Sequence, residues 1–183
     1  MKVEATPLEG CFIIHNSVFN DERGYFFESF NKSRFSSLTG IDVEFVQDNQ
    51  SRSTKGVLRG LHFQKGDAAQ AKLVRVLQGE VLDVVVDIRK ESATFGNHFS
   101  LALSETSNTQ LYIPRGFAHG FLVLSDTATF FYKCDNYYNK AAESGILYND
   151  PALNIDWKMQ LDDLILSEKD RKNPLLNDIV ATL

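Results

Sequence analysis

The stretch KLVRVLQGEVLDVVVDI, residues 72–88, decides the fold. Its first six residues set Lys72 and Arg75 among the apolar Leu73, Val74, Val76 and Leu77, a short mixed run that reads as a strand. Gln78-Gly79 supplies a turn. Residues 81–88 are then rich in β-branched side chains, which favour a pleated surface. Working outward, short strands are expected over 99–103, 110–113, 120–124 and 127–134. Turn signals lie between them at Ser107-Asn108 and Ser125-Asp126. Upstream, strands are expected over 11–15 and 24–29. A helix should begin after Asn31, which can cap it, and stop at Gly40. The last ~25 residues read as loop and short helix. Many short strands at even spacing give an all-β fold: a jelly-roll β-sandwich or barrel with short C-terminal helices laid across it. The 183 residues fit a single domain spanning 1–183.

Composition narrows the function. With 43% apolar and 23% charged residues the chain can bury an ordinary core. A net charge of −5 argues against nucleic-acid or anionic-membrane binding, both of which call for a basic surface. The opening MKVEATPLEGCF has no apolar stretch of signal-peptide length, and no run approaches a membrane span. Cys11 and Cys134 have no zinc-type spacing and read as free thiols of a reducing compartment, so the expected location is the cytoplasm.

Two of the four histidines sit in unusual settings. In VLRGLHFQ, 57–64, strict alternation places His62 and Gln64 on one strand face, with Gly60 leaving room beside them and Arg59 on the other face. In IPRGFAHGF, 113–121, the spacing Pro-x-Gly-x-x-His resembles the second signature of the cupin superfamily, a turn that carries a histidine into a small barrel. Metal-binding cupins pair it with His-x-His; here that position reads His62-Phe63-Gln64, one good donor short of a transition-metal site. No metal and no cofactor are therefore expected, and no GxGxxG or Walker pattern is present. An inward histidine without a metal is a candidate general base, at its best when a carboxylate fixes its tautomer. Asp83, Asp87 and Asp170 all stay open as that carboxylate, and Asp83 and Asp87 equally as solvated strand positions. Arg23, Arg59 and Lys72 are candidates for holding a phosphate, each with the alternative of a solvated surface charge. The aromatics at 130–138 read as core, or as a proton donor and stacking platform.

Taken together, DERGYFFE (21–28), FVQDNQSRS (45–53), VLRGLHFQ (57–64), residues 72–96, YIPRGFAHGFLVLSD (112–126), FYKCDNYY (131–138), YNDP (148–151) and LSEKD (166–170) resemble the dTDP-4-dehydrorhamnose 3,5-epimerase family. The resemblance runs over nearly the whole chain. It implies epimerisation of a dTDP-4-keto-6-deoxyhexose at carbons 3 and 5. His62 would be the proton acceptor, paired with Asp170. Tyr132 would be the donor on the other sugar face, and Lys72 would stabilise the enolate. Arg23 and Arg59 would bind the diphosphate, with Lys169 and His119 nearby. Glu28, Gln47, Asp48 and Asn49 would line the nucleotide pocket, Tyr138 would stack on thymine, and Glu143 would contact the ligand. It also implies a homodimer in which Arg23 reaches the partner's site. A single-site epimerase at carbon 3 or 5 is the neighbouring alternative; a metal-binding cupin is the alternative from another class.

Overall fold

Residues 81–88 are apolar at nearly every position because their strand is buried on both faces. In the computed structural model, which describes residues 1–183, strand β8 (Glu80–Asp87) lies inside a five-stranded antiparallel sheet. The order of that sheet is β13 (Glu143–Gly145), β6 (Leu58–Gln64), β11 (Phe117–Val123), β8 and β9 (His98–Ser104). Val81 and Val85 point into the core between this sheet and a second one. Leu82, Val84 and Val86 point the other way, under Leu153, Trp157, Leu164, Leu176 and Ile179 of the C-terminal segment. That segment holds three 3₁₀ turns and the short helix α2 (Leu176–Ile179).

The second sheet has six strands in the order β1 (Lys2–Ala5), β2 (Phe12–His15), β10 (Thr109–Ile113), β7 (Lys72–Gln78), β12 (Thr127–Cys134) and β5 (Gln47–Thr54). Its outer face is covered by α1 (Lys32–Thr39), which packs Phe35 against Leu73 and Tyr112. The Asn31 side chain accepts from the Arg34 amide at the helix start, and Gly40 closes the helix in the left-handed conformation, as expected. A hairpin of β3 (Phe19–Asp21) and β4 (Gly24–Phe26), shorter than the strand expected over 24–29, belongs to neither sheet. The jelly-roll-type sandwich of the sequence reading is the fold observed.

Strict alternation fails at 57–64. His119 pairs with His62, but Phe121 pairs with Arg59, so β6 carries one extra residue opposite β11. Such a bulge re-aims side chains. Here it turns both Arg59 and His62 toward the same cavity, while Leu58, Leu61 and Phe63 go to the core beneath the C-terminal segment. Nor does Gly60 leave open room. Its φ is +138°, and a Cβ there would lie 2.5 Å from the Gly120 Cα, so the absent side chain lets β11 approach. Gly60→Ala is expected to cost about 3 kcal/mol through this clash and strained backbone, read as a lowered melting temperature; an unchanged melt would contradict the account of the bulge.

Asp83 and Asp87 are not solvated; both are fully buried. Asp87 accepts from Arg89, Ser92 and Thr94 and ties down the loop after β8. Burial pushes its carboxyl up, but these hydrogen bonds prevail and hold it at about 2. Its stabilisation is therefore complete above the ordinary carboxylate range and is lost as pH falls toward 2.

Candidate active site

One cavity of about 420 Å³ opens at the end of the sandwich, between the two sheets. From the five-stranded sheet come Arg59, His62, His119 and Phe121; from the six-stranded sheet come Ser51, Lys72, Phe130 and Tyr132. The C-terminal segment closes a third side with residues 165–167, Lys169 and Asp170. It is fastened there by the Leu58 amide donating to the Ile165 carbonyl and the Ile165 amide donating to the Gly56 carbonyl. This fastening brings Asp170 to a histidine 108 residues away in sequence.

His62 Nε2 and Asp170 Oδ1 are 2.5 Å apart. Of the three carboxylates left open by the sequence, Asp170 is thus the one on His62; Asp83 pairs with His119 instead, and Asp87 with Arg89. Asp170 is 5% exposed, and its own amide donates to Ser167 Oγ, which fixes the turn. Burial raises its carboxyl, yet the His62 hydrogen bond and charge outweigh that and hold it below the ordinary range. An acceptor so acidic keeps its charge and orients the ring. With Nε2–H donating a hydrogen bond to Asp170, Nδ1 is free to take a proton. It has no protein partner, and the ring is 32% exposed.

Tyr132 stands on the opposite sheet. Burial pushes its phenol up, so at neutral pH it carries a proton to give. Lys72 lies 5.7 Å from the centre of that ring. Burial pushes the lysine ammonium down, partly offset by negative groups nearby. Arg59 donates to Ser53 Oγ at 3.1 Å, which holds its guanidinium at the cavity wall.

A chain of polar contacts runs from the mouth. Lys169 pairs with Glu143 at 2.6 Å, Tyr138 donates its hydroxyl to Glu143, and the Tyr138 amide donates to Gln47. Gln47 in turn donates to Asn49, whose amide reaches the Cys134 sulfur. Asp48 is held by Lys133. Five of the residues expected to bind the ligand, Lys169, Glu143, Tyr138, Gln47 and Asn49, are therefore joined in one network, with Asp48 beside it. Arg23 and Glu28 are not at the cavity of their own chain. Arg23 is 85% exposed at the tip of the β3–β4 hairpin, paired with Asp21, and Glu28 meets Asn31 and Arg34.

Gln64, expected beside His62, lies outside the cavity. Its amide donates to the Ala68 and Tyr137 carbonyls, and its oxygen accepts from the Asn139 amide, so it pins the loop that carries Tyr138. No three His, Cys, Asp or Glu side chains are grouped to hold a metal ion.

A jelly roll that sets a carboxylate-backed histidine and a protonated tyrosine on facing walls defines a class: cupin-like proteins built for acid–base chemistry on a bound ligand. The chain belongs to the dTDP-4-dehydrorhamnose 3,5-epimerase family, whose model matches residues 5–178. The dTDP-4-dehydrorhamnose 3,5-epimerase of Salmonella typhimurium is 52% identical over 183 residues, covering 100% of this chain and 99% of that one. The crystal structure of the Elizabethkingia anophelis enzyme of the same name superposes with a TM-score of 0.94 at 56% identity, covering 97% of both chains. A dTDP-6-deoxy-D-glucose-3,5-epimerase from Legionella pneumophila, solved with dTDP-4-keto-L-rhamnose, gives a TM-score of 0.95 at 50% identity, covering 99% and 95%.

Proposed function

We propose that this protein epimerises dTDP-4-dehydro-6-deoxy-D-glucose at carbons 3 and 5 to dTDP-4-dehydro-L-rhamnose. The observation that carries the reading is the placement of His62 and Tyr132 on opposite sheets across one cavity. Inversion at carbon requires a proton to leave one face and return to the other, and two facing groups of opposite proton content supply that.

The ketone at carbon 4 acidifies the C–H bonds at carbons 3 and 5, because the carbanion delocalises into an enolate. His62 Nδ1 takes the proton, and Asp170 stabilises the imidazolium that results. Lys72 places a positive charge by the enolate oxygen, a contribution of about 10²–10³-fold where a single donor of this kind is removed. Tyr132 delivers its phenolic proton to the other face, leaving a phenolate that the Arg59 charge favours. Exchange of both groups with solvent restores them for the second carbon. Arg59 grips the diphosphate, and that remote binding energy holds the sugar in the reactive pose. Following the hexose by proton NMR in water tests the reading: the L-lyxo-configured ketosugar is expected. Unchanged substrate, or a product inverted at one carbon only, would overturn it.

The chain also works, in this reading, as a homodimer. Arg23 stands on a hairpin whose Phe19, Tyr25 and Phe26 are exposed, an apolar tip suited to lie across a second copy and bring the guanidinium to its cavity. Mixing inactive Arg23→Ala with inactive His62→Ala chains should then restore part of the activity, because each mixed dimer holds one intact site; no recovery after exchange would contradict the sharing. The two buried free thiols, Cys11 and Cys134, support a cytoplasmic setting.

A further inference from the structure

His119 and Asp83 make a second histidine–aspartate pair beside the first. His119 is the strand partner of His62, lines the same cavity, and its Nε2 lies 2.9 Å from Asp83 Oδ2. Burial is the largest influence on its ring and holds it neutral, so Nε2–H donates and no charge is cancelled. Asp83 itself is 0% exposed, and its other oxygen, Oδ1, has no hydrogen-bond partner. A buried carboxylate left so is costly unless a positive charge faces it.

Elimination identifies that charge. Three cations line the cavity; Lys169 is held by Glu143 and Arg59 is turned to Ser53 Oγ, which leaves Lys72, and it makes no ion pair of its own. The groups set around Lys72 are Tyr132 and Cys134 on β12, Asp83 on β8, His119 on β11, His62 on β6 and Glu143 on β13. Tyr132 is protonated at neutral pH. Burial pushes the Cys134 thiol up to about 11, so it is neutral too. Glu143 is already held by Lys169 at 2.6 Å. Asp170 is held by its hydrogen bond with His62 at 2.5 Å. Asp83 is the carboxylate that still has an oxygen, Oδ1, without a partner.

We propose that Asp83 is a positioning residue: its buried carboxylate is the counter-charge of Lys72, and it orients His119 through the opposite oxygen. One charge thus keeps the lysine cationic where burial works against it, so that it can meet an enolate. The inference rests on the epimerase reading for what Lys72 does in turnover, but the pairing itself can be measured without turnover.

Asp83→Asn keeps an acceptor for His119 and removes only the charge. Loss of a facing negative charge makes the ammonium easier to deprotonate, so the alkaline limb of the kcat profile should move to lower pH. Normalised at pH 6.5, the variant should be about tenfold less active than wild type at pH 9. A profile superimposable on wild type would overturn the inference, since a purely structural loss lowers kcat equally at every pH. The second measurement is a melting cycle with Lys72→Met. If the two charges compensate each other, the double variant Lys72→Met/Asp83→Asn melts above Lys72→Met alone, even where Asp83→Asn alone folds poorly. A double variant melting at or below that single variant would overturn it. The cycle needs no substrate, so a failure of the epimerase reading and a failure of the charge pairing are seen separately.

Discussion

His62→Ala is expected to lower kcat by about 10³-fold while dTDP binding stays within a few-fold of wild type. A positioned general base contributes about 10²–10⁴-fold. Nothing else in the cavity can take its place, because His119 is buried, which pushes its ring down and makes it a weaker base, and Asp170 is too acidic to hold a proton near neutral pH. The groups proposed to hold the nucleotide, Arg59 and the network from Lys169 to Gln47, make no hydrogen bond to His62. Asp170 is left buried without its partner, so the variant will also melt lower. His62→Asn, which preserves a donor for that carboxylate, separates the two effects: its stability should recover while its activity does not. Rates from steady-state assays and affinities from dTDP titration decide the matter, and near-wild-type turnover in either variant would remove His62 from the role of base.

Tyr132→Phe carries the second large effect, and a more particular one. The ring keeps its place against Phe130 and Lys72, so packing is spared and only the hydroxyl is lost. Proton removal by His62 is still possible, but the face opposite it has no donor. Inversion should fall by about 10²–10³-fold, while the substrate still exchanges protons with solvent from the His62 side. In deuterium oxide the expected product is thus labelled but uninverted starting sugar. Inversion at the wild-type rate would show that another group, or water, protonates the far face.

How much of this was written legibly in the sequence varies with how local the cause is. Helix α1 could be read to its ends because its stop and start are set by single residues, Asn31 and Gly40. Strand β12 could be read over 127–134 because alternation there follows one buried face. Strand β5, QDNQSRST, was missed. It is the polar edge of its sheet, with alternate residues facing water, and nothing in its composition separates it from a loop. The bulge in β6 could not be read either. It depends on Gly120 lying against Gly60, a contact between residues 60 positions apart, and so the face of Arg59 came out wrong.

The site divides the same way. His62 and His119 stood out from their settings, but a strand pattern cannot tell an inward aspartate from a solvated one. Asp83 and Asp87 were open on that account, and packing between two layers resolved them. The His62–Asp170 pair was available only through resemblance to a family, since the C-terminal segment must cross the five-stranded sheet before the two meet.

The most direct measurement is deuterium incorporation by the wild-type protein acting on dTDP-4-dehydro-6-deoxy-D-glucose in deuterium oxide, with carbons 3 and 5 resolved by NMR. A base and a donor on facing walls predict solvent deuterium at both carbons, each with inverted configuration. Inversion with retention of the substrate's own hydrogen, or no exchange at either carbon, would contradict the account.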